Sequence, residues 1–289
     1  MGGRYDFQGL MLKDVTPKMT KMWWRYPNLL KLNMLLLTAI LTQATTGYDG
    51  SMLNGMQSLP QWRSYFDYPA GARLGVLANG TTFGLVLALP LGYYSADRFG
   101  RRRPITFGSV ILIFGAILQC AAQNFAWFVV GRVIIGVGLG VVGIVSPLLL
   151  AEVSYPSQRG KMTSLVEPTW PLGALIAAWV TYGTFSMHDS TWSWRIPSIC
   201  QCFTSIIQLV MSLFVPESPR WLIYNNRREE AQALKVITKY HADGDANSRL
   251  VAFEMAESRL HLKPRSCRKR PVGWNGFEQK AIEGVFSWS

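Results

Sequence analysis

The sequence predicts an all-α membrane protein in which six transmembrane helices are followed by short cytoplasmic helices. Hydrophobic residues make up 49% of the 289-residue chain and charged residues only 16%, whereas a soluble domain carries about 25% charged residues. The charged residues also leave six long stretches empty. Because a helix needs about 20 successive apolar residues to cross a hydrocarbon core about 30 Å thick, each stretch is interpreted as one membrane-spanning helix.

The six uncharged stretches define the predicted spans. The first is the shortest, but Leu29 and Leu30 extend it to an adequate length if Lys31 reaches the lipid headgroups with its amine. A polar pair at 123–124 separates the third span from the fourth, because a single helix over residues 104–131 would be about 42 Å long and would overshoot the bilayer. The spans are residues 32–48, 74–96, 104–122, 133–151, 168–187 and 196–216.

The lysines and arginines of the short loops indicate the orientation, because such residues stay on the cytoplasmic side. The loops on the opposite side hold only Arg63, Arg73 and Arg195. Both termini are therefore predicted to be cytoplasmic, and the formal net charge of +12 is interpreted as a topological signal and not as a nucleic-acid-binding surface. The basic residues of the predicted cytoplasmic side before the sixth span are Arg4, Lys13, Lys18, Lys21, Arg25, Arg98, Arg101, Arg102, Arg103, Arg159 and Lys161.

The cysteines and histidines give no sign of an enzyme, a cofactor site or a metal site. The four cysteines have no metal-ligand spacing and are interpreted as small buried hydrophobes, without a disulfide framework. The histidines, His188, His241 and His261, all lie outside the predicted spans, and no nucleophile with its base accompanies them. Neither catalysis nor a cofactor is therefore expected.

The loop between the second and third spans concentrates charge. Residues 97–103 read DRFGRRR, so that Asp97 stands at a helix end beside four arginines, where at least one charge-assisted pair is expected. A cytoplasmic retention signal would need only the positive charge, and in isolation the loop fits both interpretations. It resembles the signature loop of major facilitator transporters, in which a turn glycine separates an acid from a basic cluster.

The fourth span carries spaced glycines, which would let neighbouring helices approach closely. An Arg-Gly pair closes the pattern, which is similar to that of sugar porters. Leu149 stands where a tyrosine is usual, and Pro156 falls one place later than in most members, as in fungal-type ones. The residues of the pattern are Gly131, Arg132, Gly136, Gly138, Gly140, Gly143, Pro147, Glu152, Pro156, Arg159 and Gly160.

The most specific motif follows the sixth span, where residues 216–222 read PESPRWL. The proline ends the helix, Glu217 and Arg220 offer opposite charges at the membrane surface, and Trp221 suits the interface. Together with WSWRIP at 192–197 and the segments YDGS and QSLP near the first span, the motif resembles fungal-type hexose or disaccharide transporters, which are lactose permease-like sugar porters. The resemblance covers about residues 30–257 and implies the N-terminal bundle of a major facilitator fold.

The resemblance implies proton-coupled sugar transport. In proton-coupled sugar porters an acid at the position of Asp49 pairs with an arginine at the position of Arg132, and protonation of the acid loosens the pair. Ionisable residues inside a membrane are costly and usually mark transport paths. An acid that is both buried and close to a cation can change its proton affinity as a pocket opens and closes. The alternative is a static structural pair, and facilitated diffusion would then replace symport.

Candidate sugar contacts lie in the fifth and sixth spans. Glu167 occupies roughly the position where sugar porters place a sugar-contacting glutamine or asparagine, and Trp170 and Gln201 are further candidates. A carboxylate at residue 167 could accept hydrogen bonds from sugar hydroxyls or titrate. The alternatives are that Glu167, which precedes Pro168, is a peculiarity of this sequence and that Trp170 and Trp179 serve packing.

The charged residues at the cytoplasmic side are expected to form a gating network. Beyond Trp221, apolar residues at helical spacing predict a linker helix, which either packs against the arginine loops as a latch or stays a solvated charged linker. The stripe consists of Ala231, Leu234, Ile237 and Tyr240. The expected gating residues are Asp97, Arg98, Arg101, Arg102, Glu152, Arg159, Glu217 and Arg220.

Four segments follow from these predictions: a cytoplasmic arm (1–28), a six-helix bundle (29–216), linker helices (217–257) and a divergent basic tail (258–289) that is expected to be disordered. A complete transporter of this class has two six-helix halves. Because family-like sequence changes to unpatterned sequence at one point, we expect a chain shortened by premature termination, an altered reading frame or an unspliced message.

The sequence is compatible with two functions. The first is transport of a sugar with a proton across a membrane, with the plasma membrane as the family expectation, by this chain alone or paired with another transporter half. The second is a non-transporting membrane protein whose exposed apolar face binds a full-length relative. The expected partners are therefore a sugar, a proton, the lipid bilayer and a second half or relative, with no nucleic acid.

Overall fold

The structure is a computed structural model that describes residue 17 and residues 22–187, 190–225, 230–245 and 247–262. All the regular elements in these ranges are helical. A 3-10 turn at Trp23–Arg25 precedes eleven α-helices: α1 Pro27–Ser58, α2 Pro60–Tyr65, α3 Ala72–Phe99, α4 Arg102–Cys120, α5 Phe125–Val153, α6 Arg159–Ser164, α7 Thr169–Phe185, α8 Trp192–Ser212, α9 Pro219–Asn225, α10 Glu230–His241 and α11 Arg249–Leu262.

Four helices of the described chain, α1, α3, α4 and α5, are long and apolar enough to cross a membrane. They confirm the first four predicted spans. The third and fourth are separate helices, because Asn124 caps α5 by accepting a hydrogen bond of 3.3 Å from the amide of Trp127.

The fifth and sixth predicted spans fall on α7 and α8, which do not meet the same criteria. Helix α7 has 17 residues because turns occupy residues 165–168 before it, so the predicted start lies in irregular chain. Helix α8 begins earlier than predicted, at Trp192, and its buried face carries Gln201 and Gln208 together with several serines, which lower its mean hydropathy. The prediction of six spans is thus confirmed for four helices.

The long helices pack in an exchanged pattern. Helix α1 lies against α7 and α8, whereas α5 lies against α3 and α4. The two central helices, α1 and α5, also contact each other, and α4 contacts α8. The first three long helices (α1, α3, α4) and the next three (α5, α7, α8) therefore form two sets, and the leading helix of each packs on the second and third helices of the other.

The glycines of α5 allow its close packing, as predicted. A Cβ atom on Gly136 would clash with the carbonyl oxygen of Thr81 on α3, and one on Gly138 would lie 2.8 Å from Cγ of Leu112 on α4. Gly143 faces open space, so it contributes no such contact. Two glycines on different sides of α5 thus hold it tightly between α3 and α4.

The linker helices pack under one end of the bundle, which we call the arginine-loop end because it carries residues 97–103. Helices α9, α10 and α11 share an apolar cluster made of Trp221, Leu222, Ala233, Ile237, Val251 and Met255. Of the two predicted alternatives, the structure therefore shows packing. Helix α11 continues to Leu262, past the predicted boundary at residue 257, and residues 263–289 lie outside the described chain.

Candidate functional site

A buried ion pair lies inside the bundle between α1 and α5. Nη1 of Arg132 donates a hydrogen bond of 2.6 Å to Oδ1 of Asp49. The same oxygen accepts a bond of 2.8 Å from Nε2 of Gln201 on α8, and Nη2 of Arg132 lies 3.3 Å from Oγ1 of Thr81 on α3. Four of the long helices therefore meet at this pair.

The pair is almost completely shielded, since Asp49 is 3% exposed and Arg132 is 1% exposed. A buried charge is costly unless it is paired and hydrogen-bonded, so each partner requires the other. Both hydrogen bonds to the carboxylate of Asp49 end on Oδ1, and Oδ2 accepts none from the described residues.

The sequence grouped Gln201 with the candidate sugar contacts, but it lies beside the ion pair. Its side chain is 1% exposed, and its amide nitrogen is occupied by Asp49. Its Oε1 is buried and has no hydrogen-bond partner in the described part of the chain. Gln201 is therefore a positioning residue for Asp49 and is separated from the exposed surface.

Glu167 lies on an exposed face formed by α1 and α7. Its Oε1 accepts a hydrogen bond of 3.0 Å from Nε2 of Gln43, which is near the middle of α1. Trp170 is 43% exposed on the same side, and Thr169 fixes the start of α7 by donating to the carbonyl of Ile40 at 3.1 Å. The turn at residues 165–168 thus brings a carboxylate to mid-depth in the bundle.

A groove continues this face away from the arginine-loop end. It has a volume of about 300 Å³ and is lined by Ser51, Asn54, Gly55, Ser58, Ala178, Thr181, Tyr182 and Phe185. We call the exposed side of α1 and α7, from Gln43 and Glu167 to this groove, the open face. Trp179 is also on α7 and is 69% exposed, but it does not line the groove.

On the open face α1 contributes polar side chains, such as Ser51 and Asn54, and α7 contributes aromatic ones, such as Tyr182 and Phe185, whereas the outer face of α3 is apolar. Phe83, Val86 and Leu87 of α3 are each more than half exposed, which suits contact with lipid tails. Polar groups are expensive in contact with lipid and normally face a cavity or another part of the protein. The open face is accordingly the surface of the bundle that is suited to a solute or to further protein.

Arg101 and Glu152 form a two-pronged ion pair at the arginine-loop end. Nε of Arg101 donates to Oε2 at 2.9 Å and Nη2 donates to Oε1 at 3.1 Å. Nη1 donates to the carbonyl of Ala96 at 2.8 Å. Both side chains are 11% exposed, and paired geometry of this kind is the strong form of an arginine–carboxylate contact. The loop after α3 is thus fastened to the end of α5.

Glu217 caps the N-terminus of α4. Its Oε1 accepts bonds from the backbone amides of Arg101 at 2.7 Å and Arg102 at 3.3 Å. Arg102 in turn donates from Nε to the carbonyl of Ser212 at 3.1 Å, and from Nη2 to the carbonyl of Leu213. A carboxylate is favourable at a helix N-terminus, where amides lack partners and the helix dipole is positive. The end of α8 is therefore bonded to the start of α4.

The other expected gating residues contribute less to this end. Asp97 is 83% exposed and reaches Arg101 only at 4.0 Å, a contact that stabilises little. Arg98 is exposed, with no partner in the described chain. Arg220 approaches Glu257 at 3.5 Å, not Glu217.

Trp221 is 7% exposed and donates to the carbonyl of Asp97 at 2.8 Å, so it packs inside this end and is no interfacial anchor.

Arg159 lies in a charged cluster below α5. The residues around it include Glu152, Arg220, Glu254 and Glu257. Burial, with a smaller effect of Arg220, lowers the pKa of the Arg159 guanidinium, whereas the carboxylates raise it. The guanidinium keeps its charge at any ordinary pH, so the cluster holds a permanent cation among acids.

His241 belongs to the arginine-loop end, which the sequence did not predict. Its Nδ1 lies 2.7 Å from Oε2 of Glu254, and its Nε2 lies 3.1 Å from the carbonyl oxygen of Val153. Both nitrogens thus face acceptors, and both can donate only in the imidazolium form. Residues 240–245 were recognised as part of the linker, but their spacing carried no sign that this histidine reaches α5.

The chain matches a known transporter family and known transporters. Residues 35–270 match the family described as "Sugar (and other) transporter", so the match extends past residue 257. Over 86% of its length the chain is 29% identical to a high-affinity glucose transporter of Kluyveromyces lactis. It is 32% identical over 83% of its length to the MFS glucose transporter mfs1 of Aspergillus flavus. It spans only 44% and 46% of the lengths of these two relatives.

A third relative is named for a different substrate. Over 64% of its length the chain is 32% identical to a quinate permease of Neurospora terricola, of which the match covers 37%. The matching relatives are transporters and not enzymes.

Solved structures show the same fold. The xylose transporter XylE from E. coli, in a partially occluded inward-open conformation, has a TM-score of 0.71 at 24% identity, over 81% of this chain and 59% of that one. The MFS proton:xylose symporter XylE bound to 6-bromo-6-deoxy-D-glucose also has a TM-score of 0.71, at 23% identity, over 83% and 54% of the two chains.

Proposed function

Because this chain belongs to the sugar transporter family of the major facilitator superfamily, we propose that it forms the N-terminal half of a transporter that moves a sugar together with a proton. The chain spans less than half the length of the glucose transporters that it matches. In transporters of this class the substrate lies near the midplane between two halves that rock against each other. The open face supplies one wall of such a site.

The proposed topology has α7 and α8 as the fifth and sixth spans, with both termini and the arginine-loop end in the cytoplasm. The lysines and arginines of the loops support this orientation. The proposed segments, adjusted to the observed helices, are an arm (1–26), a bundle (27–216), linker helices (217–262) and a tail (263–289), and the proposed location is the plasma membrane. The second half, or a full-length relative, would bind the open face.

The Asp49–Arg132 pair is the observation that carries the proton-coupling proposal. Arg132 is bonded to one oxygen of Asp49 and leaves Oδ2 without a partner in the described chain. A proton on Oδ2 removes the negative charge that holds Arg132, and the bond between α1 and α5 weakens. Since Gln201 and Thr81 bond to the same two residues, this change reaches α8 and α3 as well. Proton binding is thereby coupled to the packing of four helices.

The sugar contacts proposed on this half are Glu167 and Trp170. The carboxylate accepts hydrogen bonds from hydroxyl groups, and Gln43 holds it in place at 3.0 Å. The exposed indole of Trp170 offers an apolar face to the C–H side of a sugar ring. Gln201 acts through Asp49 and does not touch the sugar in this proposal.

The proposed gate lies at the arginine-loop end. Arg101 with Glu152, and Glu217 with the N-terminus of α4, join the ends of α3, α4, α5 and α8. These contacts keep the four ends together as one body while the half rocks. Arg159 and Arg220 extend the charge cluster to α11 through Glu257.

Uptake by the purified chain in liposomes tests the proposal. With an inward proton gradient, we expect saturable uptake of labelled glucose, xylose or lactose, accompanied by proton entry reported by an internal pH-sensitive dye. Asp49→Asn should abolish gradient-driven uptake, because it removes the titrating carboxyl group. Asp67→Asn, which changes an exposed acid in a loop, serves as the control and should behave as the wild type.

Two results would contradict the proposal in different ways. Saturable uptake that does not depend on the proton gradient and persists in Asp49→Asn would support sugar transport and contradict proton coupling. No saturable uptake of any of the three sugars would show that this half does not transport by itself and would restrict the proposal to the chain paired with a second half.

A further inference from the structure

The open face carries one charge that no cation neutralises. Residues 43–58 of α1 and 165–187 around α7 contain two ionisable acids, Asp49 and Glu167, and no lysine, arginine or histidine. Asp49 is buried and paired with Arg132. Glu167 is exposed, and no described basic residue lies within ion-pair distance of it. The one hydrogen bond of its carboxylate in the described chain comes from the neutral amide of Gln43.

The position of Glu167 makes this charge relevant to a solute. Gln43 is near the middle of α1, so the carboxylate lies at mid-depth, beside a polar side chain of that helix. The lipid-exposed surface of α3 shows no such group: its exposed side chains there include Phe83, Val86 and Leu87. Because Glu167 is exposed on this face, a solute can approach its carboxylate closely, and two charges in contact at a protein surface interact more strongly than in bulk water.

We propose that Glu167 sets the charge selectivity of the substrate site: it admits neutral and cationic polyols and rejects polyhydroxy carboxylates. This inference rests on the proposed function, because it places the substrate against the open face. A neutral sugar donates hydroxyl hydrogen bonds to the carboxylate. An ammonium group adds an opposite charge, whereas a second carboxylate meets like charge with no hydrogen to donate.

The relatives of this chain are named for both neutral and carboxylate substrates. The chain is similar both to glucose transporters and to a quinate permease, and glucose is neutral whereas quinate is a carboxylate. The charge on Glu167 favours the neutral substrate for this chain.

Equilibrium binding to the detergent-solubilised full chain tests the inference without requiring transport. Three ligands share one ring and differ in charge: glucuronate, glucose and glucosamine. For the wild type we expect glucosamine to bind more tightly than glucose, and glucuronate about tenfold or more weakly than glucose, because like charges repel at short range. Added salt should narrow this difference, because ions screen it.

The variant Glu167→Gln keeps the size and hydrogen-bonding capacity of the side chain and removes its charge. In this variant the affinity for glucuronate should be within about threefold of the affinity for glucose, and glucosamine should no longer bind more tightly than glucose. Asp67→Asn removes an acid in an exposed loop outside the open face and should keep the wild-type order. Quinate, as a fourth ligand, should gain affinity in Glu167→Gln only.

The outcomes separate the inference from the function on which it rests. If glucose binds but the ratio of glucose to glucuronate affinity is the same in wild type and Glu167→Gln, charge selection by Glu167 is refuted and the sugar site stands. If none of the ligands binds to any of the proteins, the proposed sugar site of this chain fails, and the inference fails with it.

Discussion

Gly100 lies so close to the carboxylate of Glu217 that a Cβ atom on residue 100 would be 2.5 Å from Oε2. The backbone of Gly100 also has φ +92 and ψ −162, a region that is essentially restricted to glycine. Two independent requirements, the conformation and the contact, therefore select glycine at the loop between α3 and α4. Their separate effects can be measured.

Gly100→Ala should destabilise the protein by about 2–4 kcal/mol, since backbone strain costs about 1–3 kcal/mol and the displaced carboxylate costs more. Gly244→Ala is the matched control, because Gly244 has φ +99 but open space around it. Thermal unfolding in detergent compares the two. Equal losses of Tm would mean that the contact with Glu217 contributes nothing beyond backbone strain.

Glu217→Gln should lower stability by about 1 kcal/mol, because the neutral amide can still accept a hydrogen bond but loses its charge at the helix N-terminus. Asp97→Asn is the control: this acid is 83% exposed, and its removal should change stability by less than about 0.5 kcal/mol. Denaturant titration followed by fluorescence measures both. A larger effect of Asp97→Asn would show that the exposed acid, and not Glu217, holds this end.

His241→Ala should loosen α10, because Glu254 then remains as a buried carboxylate without its donor. Breaking such a pair from one side costs about 3–5 kcal/mol. Hydrogen exchange followed by mass spectrometry should show faster exchange across α10, whereas Lys235→Ala on the exposed side of the same helix should leave it unchanged. Adding Glu254→Leu to His241→Ala should recover part of the protection; no recovery would argue against a cost caused by the unpaired acid.

Tyr155 should make the protein sensitive to alkaline pH. Burial, with smaller effects of Glu254 and Tyr26, raises the pKa of its hydroxyl above the ordinary 10.0. Because the folded pKa is the higher one, the stabilisation is complete below pH 10.0 and is lost as the pH rises from there through the folded pKa.

The slope of Tm against pH between 9 and 11 measures this effect. It should be less steep in Tyr155→Phe than in the wild type, and Tyr224→Phe, which changes a tyrosine that is 70% exposed, should keep the wild-type slope. Identical slopes in all three proteins would exclude Tyr155 as the source.

Some of these features can be predicted from the sequence, because their causes are local. Charged residues are excluded from a lipid-facing helix, so the uncharged stretches located α1, α3, α4 and α5. The start of α7 was harder to predict from the sequence, since Glu167 and Pro168 lie in turns whose position depends on contacts with α1. The low hydropathy of α8 reflects polar side chains such as Gln208, which bonds to Thr42 at 2.6 Å.

The tertiary pairs depend on the register between helices that are distant in sequence. The pairing of Asp49 with Arg132 could be expected only from the resemblance to proton-coupled sugar porters, because 83 positions separate the two residues in the sequence. Nothing local indicated that Gln201 would bond to Asp49, or that His241 would reach α5. In each case the residue type suggested a role, and the packing of the helices determined the partner.

The exchanged packing of α1 and α5 also governs how the bundle can assemble. At a synthesis rate of about 5–20 residues per second, the 83 positions between Asp49 and Arg132 correspond to about 4–17 seconds. During that interval α1 has emerged from the ribosome without α7, α8 or the arginine that pairs with its acid. The first three long helices therefore bury their packing faces only when the next three are present, and we expect the bundle to pack after its last long helix has been made.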